Sequence, residues 1–229
     1  MTLFGVELVR CSDAEEAADV VAEELAGAAR GGMSVALTGG TTPGRAYQLA
    51  AEREPDWSAA SLWWGDERCV PPEDERSNYR LARENLLDRI EAPPREVQRI
   101  RGELGGAEAA REYDELLRGA RLDYVLLGLG ADGHTASLFP GQPTLDERER
   151  RAIPAESKLE PFVERVTLTL PALAASHEVL FLVTGAEKAD AVRRAFAEEP
   201  STETPASLLR SEDGRTVAIL DAAAARDLA

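Results

Sequence analysis

Short apolar runs alternate along the chain with longer stretches in which apolar residues recur at helical spacing. Such runs, bounded by glycine or polar residues, are typical of strands that are buried on both faces of a parallel sheet. Their alternation with helices predicts one α/β domain over residues 1–229, with a mostly parallel, helix-covered sheet. The clearest predicted strands are Ser34–Leu37, Leu62–Trp64, Leu122–Leu127, Val179–Val183 and Thr216–Leu220.

Local chemistry predicts several element boundaries. Ser12 and Glu15 form a capping-box pattern at the start of the first predicted helix. Thr42 is the candidate N-cap of the second helix. Arg165–Leu170 alternates polar and apolar residues, which is typical of a half-buried strand. The alanine-rich tail after Asp221 predicts a last helix.

The stretch Leu122–Pro140 carries the strongest functional signal. Its apolar run ends in a glycine turn that includes Gly130, and Asp132 and His134 follow at once. In open α/β sheets, ligands bind at the carboxyl ends of the strands. His134 is one of two histidines in the chain, and a histidine beside a carboxylate can accept a proton from water near neutral pH. We therefore interpret His134 and Asp132 as catalytic; the alternative is a structural histidine bonded to backbone.

A second glycine turn follows the strand Ser34–Leu37 and consists of Gly39, Gly40, Thr41 and Thr42. The backbone N–H groups of such a turn, together with a helix N-terminus, bind phosphate well. The turn matches neither the nucleotide P-loop nor the dinucleotide fingerprint. It therefore predicts a small phosphorylated metabolite, the alternative being a plain strand-to-helix turn.

Charged residues lie close to the ends of three other predicted strands. Asp66 and Arg68 lie just after one of them, and Arg68 can contact a phosphate or carboxylate through two N–H groups. Arg165 begins another strand, and Lys188 lies in a first helical turn, where a cation is not favoured by the helix dipole. We interpret these cations as anion ligands. A surface ion pair for Arg68 and a solvated Lys188 are the alternatives.

The composition excludes some classes of function. The chain has 42 acidic and 26 basic residues and a net charge of −16, which disfavours nucleic-acid binding. No apolar run reaches the ~20 residues that cross a bilayer, and the first residues do not resemble a signal peptide. The two cysteines fit no metal-binding spacing. We expect a cytoplasmic protein that binds neither nucleic acid nor membrane.

The sequence lacks the serine nucleophile elbow and the usual zinc-hydrolase motifs, which disfavours a covalent serine mechanism and a zinc hydrolase. Seven segments, spread over nearly the whole chain, carry short motifs: 38–43, 64–68, 70–71, 77–78, 127–141, 165–169 and 185–189. On these motifs, in this order, the sequence resembles the 6-phosphogluconolactonase family.

The resemblance implies a modified Rossmann-like fold, shared with glucosamine-6-phosphate deaminases, and hydrolysis of 6-phospho-D-glucono-1,5-lactone to 6-phosphogluconate without a cofactor or metal. It implies that His134 is the general base and that Gly39–Thr42, Arg68 and Lys188 hold the phosphate. Arg165 is a weaker correspondence.

The predicted mechanism combines both lines of reasoning. His134 activates a water that attacks the lactone carbonyl, Asp132 orients His134 or its water, and backbone N–H groups stabilise the oxyanion. No covalent intermediate forms. Asp66 and Gly130 are counted with the substrate-binding residues.

Two alternatives remain. An amino-sugar-phosphate deaminase would need a further carboxylate soon after the histidine, whereas no acid follows His134 until Asp146. A sugar-phosphate sensor would bind without turnover. For the oligomeric state we expect a monomer or a weak homo-oligomer.

Overall fold

The computed structural model describes residues 2–158, 160 and 162–228. In this part of the chain, eleven strands form one eight-stranded and one three-stranded sheet. The strands are β1 (Thr2–Leu3), β2 (Val6–Cys11), β3 (Ser34–Leu37), β4 (Ser61–Trp64), β5 (Asp66–Arg68), β6 (Glu96–Val97), β7 (Tyr124–Leu127), β8 (Ala152–Ala155), β9 (Arg165–Leu168), β10 (Glu178–Val183) and β11 (Arg215–Asp221). The α-helices are α1 (Ala14–Arg30), α2 (Thr41–Arg53), α3 (Asn78–Ala82), α4 (Gly106–Leu117), α5 (Leu170–Ala174) and α6 (Ala189–Phe196).

The large sheet has the strand order β1-β2-β11-β10-β7-β3-β4-β6 and is parallel except at β1. From β3 the chain proceeds to β4 on one side, and from β7 it proceeds to β10 on the other. The sheet therefore has a topological switch point between β3 and β7, and ligands bind at such points in open α/β sheets. The predicted α/β architecture is confirmed.

The core lies between the sheet and the helices that cover it. Helix α1 buries Val21 and Leu25 completely, and β7 buries Val125 and Leu126 completely. Burying a side chain of this size stabilises the fold by about 1.5–3 kcal/mol. These contacts fix the sheet, and the sheet fixes the loops at its carboxyl edge.

Three predicted helix boundaries are wrong. The N-cap of α1 is Asp13, whose carboxylate accepts from the Glu16 amide, one residue later than predicted from Ser12 and Glu15. Helix α2 begins after Gly40, so Thr42 lies inside the helix and caps nothing. Residues 222–227 form turns rather than a helix, because a short terminal segment gains few helical hydrogen bonds.

The small sheet is antiparallel, in the order β5-β9-β8, and sequence reasoning missed it. Strand β5 consists of the charged residues Asp66–Arg68, a composition that favours a polar loop over a strand. All four residues of β9 are buried, which contradicts the half-buried strand predicted for Arg165–Leu170. The reason is that β9 pairs on both edges and packs against the larger fold.

Candidate active site

One cavity of about 270 Å³ lies at the switch point of the large sheet. The loops after β3, β4, β7 and β10 form its walls, and β9 closes one side. The predicted site residues that line it are Gly39, Gly40, Thr41, Thr42, Asp66, Arg68, Gly130, His134, Arg165 and Lys188. Asp132 does not line the cavity but contacts the ring of His134.

The His134 ring is hydrogen-bonded to Asp132. Nδ1 lies 2.6 Å from Oδ1 of Asp132, and the same oxygen accepts from the backbone N–H of His134 at 3.1 Å. Burial raises the pKa of Asp132, but the hydrogen bonds from His134 outweigh burial, so the pKa lies below its usual value. Because an ionised carboxylate only accepts, Nδ1 carries the proton, and Nε2 of a neutral ring is left as a proton acceptor.

Gly130 provides the space that this pair needs. A Cβ atom at Gly130 would overlap Nδ1 of His134 and Oδ1 of Asp132. The Gly130 amide also donates to the His134 carbonyl at 2.8 Å. The absence of a side chain therefore allows the turn to fold back and bring the imidazole beside the carboxylate.

The glycine turn after β3 leaves the start of α2 without a side-chain cap. Gly40 has φ +109°. The first N–H groups of a helix lack intrahelical partners and carry partial positive charge. Because Gly40, Thr41 and Thr42 line the cavity, these groups are placed to receive an anion.

The strand before this turn is anchored by Tyr47. Its buried hydroxyl accepts from the Thr38 amide at 2.9 Å and donates to the Thr38 carbonyl at 2.7 Å. Burial strongly raises the pKa of Tyr47, so the hydroxyl stays neutral. On the next residue, a Cβ at Gly39 would overlap the Asn78 carboxamide.

Arg68 and Arg165 form one wall of the cavity. They are direct partners in the antiparallel pair of β5 and β9. Burial lowers the pKa of Arg165, the nearby Asp66 carboxylate opposes that change, and the Arg68 charge reinforces it. The Arg68 Nη1 donates to the Arg76 carbonyl at 2.5 Å, and among the described residues its buried Nε has no hydrogen-bond partner.

Two buried carboxylates hold this wall. Asp66 accepts from the Asn78 amide group at 3.0 Å and from the Ser137 hydroxyl at 2.6 Å. Glu67 accepts from the backbone amides of Asn78 and Tyr79, at 2.7 and 2.8 Å, and so binds β5 to the start of α3. Burial raises the pKa of Glu67 although these hydrogen bonds act against the rise.

Lys188 also lines the cavity. It is the last residue of a short 3₁₀ turn, Ala186–Lys188, after β10, and the Gly185 amide at the start of that turn donates to the buried Asp221 carboxylate at 3.1 Å. Thr184, from the same loop, is hydrogen-bonded to Thr42 at 2.9 Å between hydroxyl oxygens. The cavity is thus lined by the cations Arg68, Arg165 and Lys188 and by the N-terminus of α2.

Residues 12–218 match the family described as glucosamine-6-phosphate isomerases/6-phosphogluconolactonase. The chain belongs to this family. A 6-phosphogluconolactonase from Homo sapiens is 39% identical over 88% of this chain and 83% of that protein. One from Streptomyces coelicolor is 37% identical over 97% of this chain and 94% of that protein. The solved structure of 6-phosphogluconolactonase from Trypanosoma brucei superimposes with a TM-score of 0.88, at 27% identity, over 98% of this chain and 99% of that one.

Relative to the family resemblance in the sequence, the structure adds four polar residues to the site. Asn78 and Thr184 line the cavity, Ser137 bonds Asp66, and Arg194 bonds the turn before His134. Asn78 and Ser137 lie within segments that carry the resemblance, which was a usable signal. Arg194 lies on an amphipathic helix, and no local pattern distinguishes it from a surface arginine.

The described residues include no group of three or more histidine, cysteine or acidic side chains that could hold a metal ion. None of the helices in residues 2–158, 160 and 162–228 is long and apolar enough to span a membrane.

Proposed function

We propose that this chain hydrolyses 6-phospho-D-glucono-1,5-lactone to 6-phosphogluconate, the second step of the oxidative pentose phosphate pathway. Its family and the names of its relatives support this proposal. The observation that carries it is that the imidazole of His134, its carboxylate partner and an anion-binding wall meet at one cavity.

The substrate phosphate binds at the N-terminus of α2 and to the nearby cations. The uncapped amides of Gly40–Thr42 and the Lys188 ammonium offer charge-assisted hydrogen bonds. Arg68, which also lines the cavity, adds a further positive charge. A charged pocket of this kind overcomes the net charge of −16 locally, because salt screens distant charges over roughly 8 Å.

His134 acts as the general base. Nε2 removes a proton from a water molecule while the water oxygen bonds to the lactone carbonyl carbon, and the carbonyl oxygen becomes an oxyanion. The tetrahedral intermediate collapses by breaking the ring C–O bond, and the imidazolium returns the proton to the leaving ring oxygen. The products are the carboxylic acid, which ionises, and the free hydroxyl, with His134 neutral again.

Asp132 supports the base in two ways. Its hydrogen bond to Nδ1 fixes the tautomer that leaves Nε2 free, and its charge stabilises the imidazolium. A positioned general base typically contributes about 10²–10⁴-fold to the rate. A lactone is an activated ester, so no covalent intermediate is required.

One feature of the cavity favours hydrolysis over deamination. Among the described residues that line it, Asp66 is the one carboxylate, and its two oxygens accept from Asn78 and Ser137. Asp66 is therefore engaged in holding the arginine wall. A ring-opening deaminase needs a further acid to move protons between carbons, and this cavity offers none besides the partner of His134.

A coupled assay tests the proposal. It measures 6-phosphogluconate released from freshly made lactone, after correction for spontaneous hydrolysis. We expect His134→Ala to lower kcat by about 10²–10⁴-fold with little change in KM. His177→Ala is the matched control, because His177 is the other histidine and is exposed. Equal rates for the two variants would exclude His134 as the base.

Ammonia release from glucosamine 6-phosphate would identify a deaminase, and tight binding without turnover would identify a sensor.

A further inference from the structure

Arg194, on α6, contacts the turn that carries the catalytic pair. Its Nη2 donates to the Ala131 carbonyl at 3.1 Å, and its Nη1 donates to the Asp132 carbonyl at 3.4 Å. Nη1 also donates to the Thr204 hydroxyl at 2.6 Å, and Nε donates to the Asp190 carboxylate at 2.8 Å. All three guanidinium nitrogens are therefore engaged, and two of them hold consecutive carbonyls just before His134.

Each backbone carbonyl from Gly130 to His134 has a donor. The Gly130 carbonyl accepts from the Gly133 amide at 2.9 Å, and the His134 carbonyl accepts from the Gly130 amide at 2.8 Å. These two bonds are internal to the turn. The three carbonyls between them are held from outside, two by Arg194 and the Gly133 carbonyl by the Ala206 amide at 3.1 Å. The orientation of the turn thus depends on α6 and on the segment that follows it.

Internal hydrogen bonds hold that segment in place. Thr204 is 3% exposed, and its carbonyl accepts from both the amide and the hydroxyl of Ser207, at 2.8 and 2.6 Å. Gly133 has φ +98°, and a Cβ there would press against Thr204 and the Arg194 guanidinium. The turn is therefore packed closely against Thr204 and Arg194.

We propose that Arg194 is a positioning residue for the Asp132–His134 pair. The expected effect of Arg194 on the rate rests on the proposed function. Its expected effect on the geometry of the pair does not. A planar guanidinium spans two adjacent carbonyls and a hydroxyl at once, which a lysine ammonium on its flexible stem does not reproduce. Releasing the turn lets Oδ1 of Asp132 and Nδ1 of His134 move apart, so the base loses its orientation without losing any contact to substrate.

The kinetic test compares Arg194→Met and Arg194→Lys with Arg193→Met. Arg193 is the adjacent residue on α6, pairs with the same Asp190, and is 40% exposed in its side chain. We expect both Arg194 variants to lower kcat by about 10- to 100-fold, since a 1 Å misplacement can cost about 10²-fold, with KM changed less than about 2-fold. We expect Arg193→Met to retain both constants. Added guanidinium ion should restore part of the activity of Arg194→Met and none to Arg194→Lys.

A second readout needs no turnover. With two histidines in the chain, proton NMR of the ring N–H groups is simple to assign, using His177→Gln to remove the exposed one. The Nδ1 proton bonded to Asp132 should resonate far downfield in the wild type and in Arg193→Met, and should be lost or shifted upfield in both Arg194 variants. If Arg194→Met does not fold, Arg194→Lys decides the test.

The outcomes separate the two proposals. An unchanged Nδ1 resonance in the folded Arg194 variants would overturn the positioning role, and so would a fall in kcat no larger than that of Arg193→Met. A wild-type protein that shows no lactone hydrolysis would overturn the proposed function, while the NMR comparison would still decide the role of Arg194.

Discussion

Arg68 and Arg165 face each other as direct partners across the antiparallel pair of β5 and β9. Like charges directly opposite in a sheet are destabilising, and the Arg68 charge acts to lower the pKa of the Arg165 guanidinium. Asp66 offsets part of this repulsion. A bound phosphate or carboxylate would offset more, so this pair of arginines is electrostatically disposed to take up an anion.

The first prediction concerns this wall. Arg68→Met should change the free energy of unfolding of the ligand-free protein by less than about 1 kcal/mol, because relief of repulsion offsets the lost bond to Arg76. A ligand at 100 times its Kd stabilises the folded state by about 2.7 kcal/mol. At about 100 times its Kd for the wild type, 6-phosphogluconate should stabilise the wild type by about 2.7 kcal/mol. The same concentration should stabilise Arg68→Met by less than about 1 kcal/mol. Urea unfolding measures both.

Arg45→Met is the control, because Arg45 lies on α2 but forms an exposed pair with Glu15. Its response to 6-phosphogluconate should match that of the wild type. An equal response in Arg68→Met would show that the arginine wall does not bind the anion.

The second prediction concerns Gly130. Alanine there would overlap the His134 ring and the Asp132 carboxylate, so we expect Gly130→Ala to lower kcat by at least about 10²-fold while the protein stays folded. The comparison is Gly128→Ala in the same turn, where nothing lies within 4 Å of the added carbon. Steady-state kinetics and the thermal midpoint are measured for both. Similar kcat values in the two variants would contradict the steric argument.

The third prediction separates phosphate binding from chemistry. The chain contains two lysines, Lys188 in the cavity and the exposed Lys158. A charge-assisted hydrogen bond contributes about 1.5–3 kcal/mol, so Lys188→Met should raise KM for the phosphorylated lactone by about 10- to 100-fold. KM for the same lactone without phosphate should not change, and Lys158→Met should affect neither. An equal loss on both substrates would remove Lys188 from the phosphate site.

The fourth prediction is a pH dependence of stability. The hydrogen bond from Arg99 lowers the pKa of Glu103 from 4.5 to about 2. Below pH 4.5, Glu103 therefore takes up a proton in the unfolded chain, whereas in the folded chain it stays ionised down to about pH 2. This contribution to stability is present above pH 4.5 and is lost as the pH falls towards 2.

A double-mutant cycle with Glu103→Gln and Arg99→Met measures this effect. The coupling free energy should be modest at pH 7, since both side chains are about a quarter exposed, and should vanish near pH 2. A coupling energy that stays constant from pH 7 to pH 2 would contradict the assignment.

Sequence reasoning succeeded where burial imposes a local pattern. The predicted bounds of β3, Ser34–Leu37, match the structure, because Val35–Leu37 are fully buried and a strand covered on both faces is mostly apolar. The turn after β7 was recognised because glycine, aspartate and histidine chemistry lies within a few consecutive residues.

It failed where distant contacts override the local pattern. The charged residues Asp66–Arg68 predict a loop, yet they form a strand because β9 pairs with them. Thr42 has the chemistry of a cap, but the positive φ of Gly40 starts the helix earlier and turns the Thr42 hydroxyl towards Thr184. Arg194 is recognisable only once α6 packs beside the turn that carries Asp132 and His134.

The small antiparallel sheet has a consequence for how the protein is made. Its strands bring Arg68 from the first half of the chain and Arg165 from the second, and Lys188 follows later still. Domains fold as units during synthesis, so Arg68, Arg165 and Lys188 line one cavity only after Lys188 has left the ribosome. An anion that needed all three cations would therefore bind the finished protein and could not assist its early folding.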